Sequence, residues 1–378
     1  MTNYFIDFHA LQTVPAANLN RDETGSPKSM TFGGVRRARV SSQAWKKAMR
    51  DYFVDNFDVH DSGLRTLEVP GLIAEEIIRQ AKESDGTEIS YAEAEQKAVE
   101  ALKLAKIQFT KAKKGERQQV KALFFISRNQ IKTIASIMLN DGLDEKERKE
   151  AVRNALRREH SVDMALFGRM VADDPYLNVD AACQVAHAIG VAPAVPEFDF
   201  YTAVDDHSVE DHAGSAMMGT IEYNSSTYYR YADVSLSQLQ DNLGDTEAVK
   251  HAIAMFTKAF IESMPSGKQN TFAAQTLPSA VVVTVRAGRP VSYADAFVKP
   301  IRTGNDDAKA AEDAMVDYAE ATASAFDLKP VASFVTYLGD SRVRELGEGC
   351  DETELVRKVS ELAGSLVDAT VLDEHAEA

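Results

Sequence analysis

Two cysteines, Cys183 and Cys350, are all that the 378 residues contain. A pair this sparse makes neither a disulfide scaffold nor a zinc site, and it suits a reducing cytoplasm. No run of about 18 apolar residues occurs, so no transmembrane helix and no membrane partner are expected. The opening MTNYFIDFHA has no basic n-region and no long apolar stretch, so no secretory signal peptide is expected. The chain also lacks a GxxxxGK loop ending in Ser or Thr, and lacks GxGxxG between a strand and a helix. There is no HD pair, nucleophile elbow or kinase motif set. No internal repeat is visible. These absences leave no motif that calls for a metal or a cofactor, and none is expected.

The chain is 44% hydrophobic and 26% charged, with a net charge of -16. It is long enough for a large core in one to three domains. So acidic a protein is not an indiscriminate nucleic-acid binder. Yet Leu19–Arg50 carries Arg21, Lys28, Arg36, Arg37, Arg39, Lys46, Lys47 and Arg50 against only Asp22 and Glu23, a local net of +6. A basic patch on an acidic chain is expected where a polyanion is held in one place and repelled elsewhere.

The stretch has internal order. Gly33-Gly34 permits a tight turn, and the arginine-rich segment after it reads as a strand. Ser41-Ser42-Gln43 then precedes Trp45, Ala48, Met49, Tyr52 and Phe53, which share one helical face. A serine before such a pattern is an N-cap, so a helix is predicted to start near Ser42 with its positive end exposed. Such an end suits phosphate. Lys46 and Arg50 share a side away from Trp45. A solvated basic face on an ordinary amphipathic helix is the competing reading.

Residues 3–13 alternate as a strand, with Tyr4, Ile6, Phe8 and Ala10 on one side and Asp7 and His9 on the other. His9 reads either as a catalytic base or as a hydrogen-bonded sheet histidine. Residues 60–190 read as mostly helical, with helices at Leu72–Lys82, from Ser90 toward Lys113, at Gln130–Leu139, at Asp144–Glu159 and at the alanine-rich Val179–Ile189. Lys111, Lys113, Lys114, Arg117 and Lys121 form a second basic run, and Arg153, Arg157 and Arg158 a third. Phe198–Val204 and Thr220–Tyr231 flank a polar loop and suggest an extended hairpin. Its aromatics either pack in the core or offer a stacking surface for bases. Helices are predicted at Asp245–Met264, Asp307–Phe326 and near Glu352–Leu366, and a buried strand at Ala280–Arg286. Between the first two of these helices, Gly267-Lys268-Gln269-Asn270-Thr271 suits phosphate or ribose contact, or is an ordinary loop.

The string LNRD…FGGVRRARVSSQAWKKAMR after FIDFHAL resembles the CasC-type backbone subunit of the type I-E CRISPR surveillance complex (Cascade), of the Cas-seven family of RAMP proteins. VDMALFGRM (162–170), FYTAVDD (200–206), YRYADVSLSQLQDNLG (229–244) and GKQNTFAA (267–274) extend the resemblance over roughly residues 1 to 300. It implies an α+β fold: an RRM-like (ferredoxin-like) palm from residues 1–59 and 191–378, a helical fingers insertion at 60–190, and a β-hairpin thumb at 195–234.

The resemblance also implies a cytoplasmic, non-catalytic RNA-binding subunit that lines up head to tail along one CRISPR RNA and preorders it for a target DNA strand. Implied partners are copies of itself, the large and small subunits, the RAMP subunit at the guide's 5′ end and the endoribonuclease that processes the guide. Phosphate or ribose contact is assigned to Arg21, Lys28, Ser41, Gln43, Lys46, Arg50, Lys268 and Gln269. Phe200, Tyr201 and Thr202 are expected against the guide, and Met170 as a wedge between bases. The alternative is an RNA endonuclease of the RAMP type using Asp22 or His9.

Overall fold

The computed structural model describes residues 3–110, 117–203, 217–302 and 306–377. Lys111, Lys113 and Lys114 of the second basic run, and 204–216 of the hairpin loop, lie outside the described residues. Among the described residues the chain is a mixed α+β protein with one large sheet and eleven α-helices. It opens with β1 (Tyr4–Ala17), β2 (Ser29–Phe32), β3 (Val35–Val40), α1 (Ser42–Asn56), β4 (Leu64–Thr66), α2 (Val69–Asp85) and α3 (Tyr91–Leu104). There follow β5 (Phe124–Ile126), α4 (Arg128–Leu139), α5 (Glu145–Arg157), α6 (Val162–Phe167), β6 (Cys183–Val185), β7 (Ala188–Pro193), β8 (Glu197–Ala203) and β9 (Met217–Ser235). The chain closes with α7 (Leu236–Leu243), α8 (Thr246–Glu262), α9 (Gln269–Phe272), β10 (Ala280–Ala287), α10 (Asp307–Phe326), β11 (Ala332–Tyr337), β12 (Glu348–Gly349) and α11 (Glu352–Glu377).

Two compact units emerge. One takes Met1–Met49, Val185–Asp233 and Phe256–Leu362; the other takes Arg50–Gln184, Val234–Met255 and Ala363–Ala378. The first holds the sheet, in the order β12-β11-β10-β1-β9-β7-β3-β2, with β8 paired to β9. β1 and β10 run antiparallel from Tyr4↔Ala287 to Leu11↔Ala280. The alternation of β1 sends Phe8 against Phe256 and Phe260 of α8, with ring centroids 5.0 and 5.6 Å away. Its other face sends Leu11 into a core with Val282, Val335 and Met315 of α10. Because both faces are covered, β10 is buried from Ala280 to Arg286 and mostly apolar, with Thr284 and Arg286 as its polar members.

The second unit has its own core. Ile73 and Ile77 of α2, Ala98 and Leu102 of α3, Ile134 and Met138 of α4 and Leu156 of α5 meet there. Its helices begin where the side chains dictate. Ser127 with Gln130, and Asp144 with Glu147, form full capping boxes. Ser90 accepts from the Glu93 N–H and starts α3, which stops at Leu104 rather than continuing toward Lys113.

One expected helix is absent. Val179–Ile189 contains β6 and the start of β7 instead. β7 pairs with β3 on one side and β9 on the other, and Ala188, Ile189, Gly190 and Val191 are buried between them. Alanine's helix preference, a few tenths of a kcal/mol per residue, yields to two ladders of hydrogen bonds. Gly190 fits that position because a Cβ there would lie 2.6 Å from Ser226 Oγ.

Candidate nucleic-acid interface

The cationic stretch becomes a loop, a hairpin and a helix start, all in the first unit. Asp22 shapes the loop: its Oδ1 accepts from Thr24 N–H at 2.9 Å, Thr24 Oγ1 at 2.7 Å and Ser26 N–H at 3.1 Å. These bonds, the Thr24 hydroxyl's foremost, hold the exposed carboxyl below its usual range. Arg21 and Pro27 bridge the loop's two sides, and Arg21 faces solvent. The buried Asn18 Nδ2 ties the loop down through Gly25 O and Glu222 O, at 3.0 and 2.8 Å.

Gly33 and Gly34 have φ of 59° and 77°, which allows the two-residue turn between β2 and β3. Gly33 is required for a second reason. A Cβ there would lie 1.7 Å from the carbonyl oxygen of Val298. After the turn, alternation sorts the arginines. Arg36 is exposed and donates to Ser29 Oγ. Arg37 is fully buried and donates to the carbonyls of Phe32, Gly190, Val191, Phe297 and Val298. Arg37 therefore belongs to the core, and the surface patch is smaller than the count of basic residues suggests.

Helix α1 is capped by Ser41, whose Oγ accepts from Ala44 N–H at 3.3 Å. Asn20 binds the loop to that start, its Oδ1 accepting from Ser41 N–H at 2.9 Å. Gln43 is exposed and Lys46 half-buried on the same first turns. Trp45 is buried beneath the guanidinium of Arg230, 3.7 Å from its ring centroid. A third segment reaches this corner. Gly267 lies so close to the basic loop that a Cβ would be 2.2 Å from Leu19 O. That contact sets Lys268, with φ 55°, and Gln269 beside the foot of the loop carrying Arg21. Gln269 Nε2 donates to Pro265 O at 3.2 Å. The fold thus brings together Arg21, Lys28, Ser41, Gln43, Lys46, Lys268 and Gln269.

Sequence reading missed His187, immediately before β7. Its Nδ1 accepts from Arg39 Nη1 at 3.2 Å and from Ser42 N–H at 3.3 Å. Burial first, then Arg39 and Lys28, hold its pKa below the usual histidine value. No local signal marks His187, because its partners are far away in sequence. Asn20 had a signal, as asparagine is a turn residue whose side chain serves nearby backbone.

The hairpin of β8 and β9 pairs from Glu197↔Tyr223 to Ala203↔Met217. Its apolar side chains are not core. Phe198 is 68% exposed, Phe200 64%, Met218 66% and Tyr201 38%, and Thr202 is exposed too. Tyr201 lies across Gly219, where a Cβ would be 2.4 Å from its hydroxyl.

Arg50 and Met170 belong to the second unit. Arg50 Nε pairs with the buried Asp163 at 2.8 Å, and its guanidinium sits 4.6 Å from the Phe125 ring. Met170 is 85% exposed. The preceding Arg169 is buried and donates to the carbonyls of Leu177, Phe125 and Leu156 and to Gln130 Oε1. In the third basic run, Arg153 pairs with Asp174 at 2.7 Å, and Arg153 and Arg157 both lie over the Tyr176 ring.

His9 is not placed for catalysis. It is fully buried, stacked on Tyr293 at 4.0 Å, with Nδ1 2.8 Å from the Tyr229 hydroxyl. Burial holds its pKa well below the usual value, so it is neutral. A base role needs contact with a phosphodiester, and the packed tyrosines deny it. Among the described residues no cluster of three or more His, Cys, Asp or Glu side chains could hold a metal, and no helix is long and apolar enough to cross a membrane.

The architecture defines a class: a mixed α+β protein whose large sheet carries a cationic loop, hairpin and helix start at one edge and a projecting aromatic hairpin. Within that class, the chain belongs to the CT1975-like protein family, whose model matches residues 6–363. It is similar to a chain of a solved "CRISPR RNA-guided surveillance complex, pre-nicking", with 32% identity and a TM-score of 0.82 over 95% of this chain and 100% of that one. A chain of another "CRISPR RNA-guided surveillance complex" is 26% identical, with a TM-score of 0.70 over 93% of this chain and 99% of that one. No curated protein matches.

Proposed function

We propose that this protein is a Cas-seven backbone subunit that binds CRISPR RNA in a surveillance complex. The observation that carries the reading is its full-length likeness, at 32% identity, to a chain of such a complex. The finer reading is of the type I-E (Cascade) kind. It is a cytoplasmic, non-catalytic subunit whose copies join head to tail along one guide, through a heterologous interface whose rotation does not close a ring. Its partners are the guide, the target DNA strand and the other Cascade subunits named above. The palm is RRM-like, with a helical fingers insertion and the β8–β9 hairpin as thumb.

Arg21, Lys28, Ser41, Gln43 and Lys46 hold phosphates or riboses, aided by Lys268 and Gln269. Guide sequences vary, so the contacts must be blind to base identity. Charge on the backbone and stacking on Phe200 and Tyr201 provide that, whereas edge reading does not. Thr202 and Met170 complete the contacts that separate neighbouring bases. Specificity then passes to base pairing, as in other RNA-guided systems. Holding the guide ordered in advance removes part of the entropic cost of meeting DNA. Arg50 has the weakest claim to RNA contact, because its ion pair with Asp163 already occupies it.

The test is to purify the protein from its native cell at moderate salt and sequence the RNA that accompanies it. Short RNAs of uniform length with CRISPR repeat ends are expected. Mixed cellular RNA, or none, overturns the reading. Incubation with labelled single-stranded RNA and magnesium tests the non-catalytic part: specific cleavage abolished by Asp22→Ala would make the protein a nuclease.

A further inference from the structure

The edge formed by β2, β3 and β7 contains a pocket that none of the assignments above uses. It has a volume of about 450 Å³, within the range of small-ligand sites. Met30, Phe32 and Ile189 wall it, with the buried Tyr229 at its base and Ser292 beside them. Arg39 and the exposed Ala186 and His187 stand on its rim. Apolar and aromatic groups thus line the interior, and the charge is at the mouth. Lys28 adjoins that mouth, since its carbonyl accepts from Arg39 N–H at 3.0 Å. His187 orients Arg39 and meets Ser42 N–H through the same ring nitrogen. The Tyr229 hydroxyl already serves His9 and the Tyr293 N–H, both at 2.8 Å.

We infer that this pocket receives one nucleobase of the bound single-stranded RNA, with the base against Phe32 and its phosphate toward Arg39 and Lys28. The inference rests on the RNA-binding reading above and adds a base site to it. A flat, mostly apolar ring on an anionic tether matches an apolar cleft with cations at its lip. Single-stranded RNA is commonly bound with bases splayed out onto aromatic side chains. The Ser292 hydroxyl also accepts from Ala294 N–H, at 3.3 Å. Because both hydroxyls are engaged within the fold, the site recognises a ring rather than an edge pattern, and it takes purines and pyrimidines alike. Tyr229 comes from β9 beyond its pairing with β8, and Phe32 and Ala186 come from segments outside that hairpin, so the two stacking surfaces are separable by mutation.

The experiment uses the full chain and a single-stranded RNA carrying 4-thiouridine. Crosslinked peptides are mapped by mass spectrometry, and affinity is measured across a salt series. In the wild type, crosslinks are expected in 29–39 and 186–189. Ala186→Trp, which fills the pocket from its rim, removes those crosslinks. It weakens binding about tenfold, and the salt slope stays the same because phosphate contacts remain. Phe32→Leu keeps an apolar side chain at the site and is expected to weaken binding several-fold, so the test survives a poorly folded tryptophan variant. Crosslinks confined to 198–202, or unchanged affinity in both variants, overturn the inference. So does a variant that binds RNA normally but loses self-association in sedimentation, which gives the pocket to a second copy of the chain. A wild type that binds no RNA overturns the RNA-binding reading itself, and the base site with it.

Discussion

Arg37 and Lys46 carry the same charge in the same cationic stretch, and they do different work. Arg37 is a buried fastener whose guanidinium serves five backbone carbonyls. Arg37→Met leaves those acceptors without a donor and is expected to cost about 3 kcal/mol or more, read as a lower urea midpoint. Lys46→Ala is expected to weaken RNA binding for every sequence tried and to reduce the salt slope by about 1. An unchanged slope would show that Lys46 faces no phosphate. A third residue reports on pH. Burial pushes the Asp233 carboxyl up to about 7, with Asp7 adding to the rise and the Tyr231 hydroxyl opposing it. The folded protein therefore keeps a proton that the unfolded chain releases near the ordinary carboxylate value. Stability from this group is full below that ordinary value and is lost as pH rises toward about 7. Neutral His9 slopes the other way, so the measurement is a difference: from about pH 5 to about pH 7.5, Asp233→Asn should lose less stability than the wild type. Equal losses would mean that Asp233 titrates alike in both states.

At the scale of elements, helix α1 separates capping from binding. Ser41→Ala removes the acceptor of Ala44 N–H and is expected to cost about 1 kcal/mol. Ser41→Asp restores a cap and suits the helix dipole, so it should be the more stable of the two variants. It also places negative charge where a phosphate is expected, so it should bind RNA more weakly than Ser41→Ala. The opposite order in affinity would move the RNA away from the start of α1. This helix was legible in sequence because a capping serine and an apolar stripe lie within a few residues of each other. α10 was legible over its whole length, Asp307–Phe326, and β10 announced itself by the valine-rich AVVVTV. β7 was misread, since an alanine-rich segment becomes a strand only when β3 and β9 lie beside it. β11 carried no signal that stood out, and its place beside β10 is set by the register Ala280↔Tyr337 to Val285↔Ala332.

Across the whole molecule, the charge and the exposed aromatics are arranged rather than scattered. A chain of net charge -16 sets Arg21, Lys28, Arg36 and Arg39 along one sheet edge, and it leaves Phe198, Phe200 and Met218 uncovered on a hairpin. Such apolar exposure on a projecting element marks an interaction surface. Replacing both aromatics together, Phe200→Ser with Tyr201→Ser, should leave the unfolding midpoint nearly unchanged because neither is buried. It should weaken binding of single-stranded RNA by about tenfold or more, with little change in salt slope. A large fall in stability instead would return these rings to a packing role.

By itself the sequence determined the local things: where α1 begins, that the glycine pair turns, that a hairpin carries aromatics, and that cations cluster against an acidic background. These follow from side chains acting on backbone a few residues away. Only the tertiary structure decided which of the cations are available. Arg36 and Arg37 are neighbours in the chain, yet one faces solvent and the other is buried, because β7 and the segment around Val298 cover only one face of β3. Arg50 was read with Lys46, but the distant Asp163 claims it. His187 joined the site for the same reason. Strand pairing and burial bring together residues that no local pattern connects, and they set the use of each charge by what lies against it.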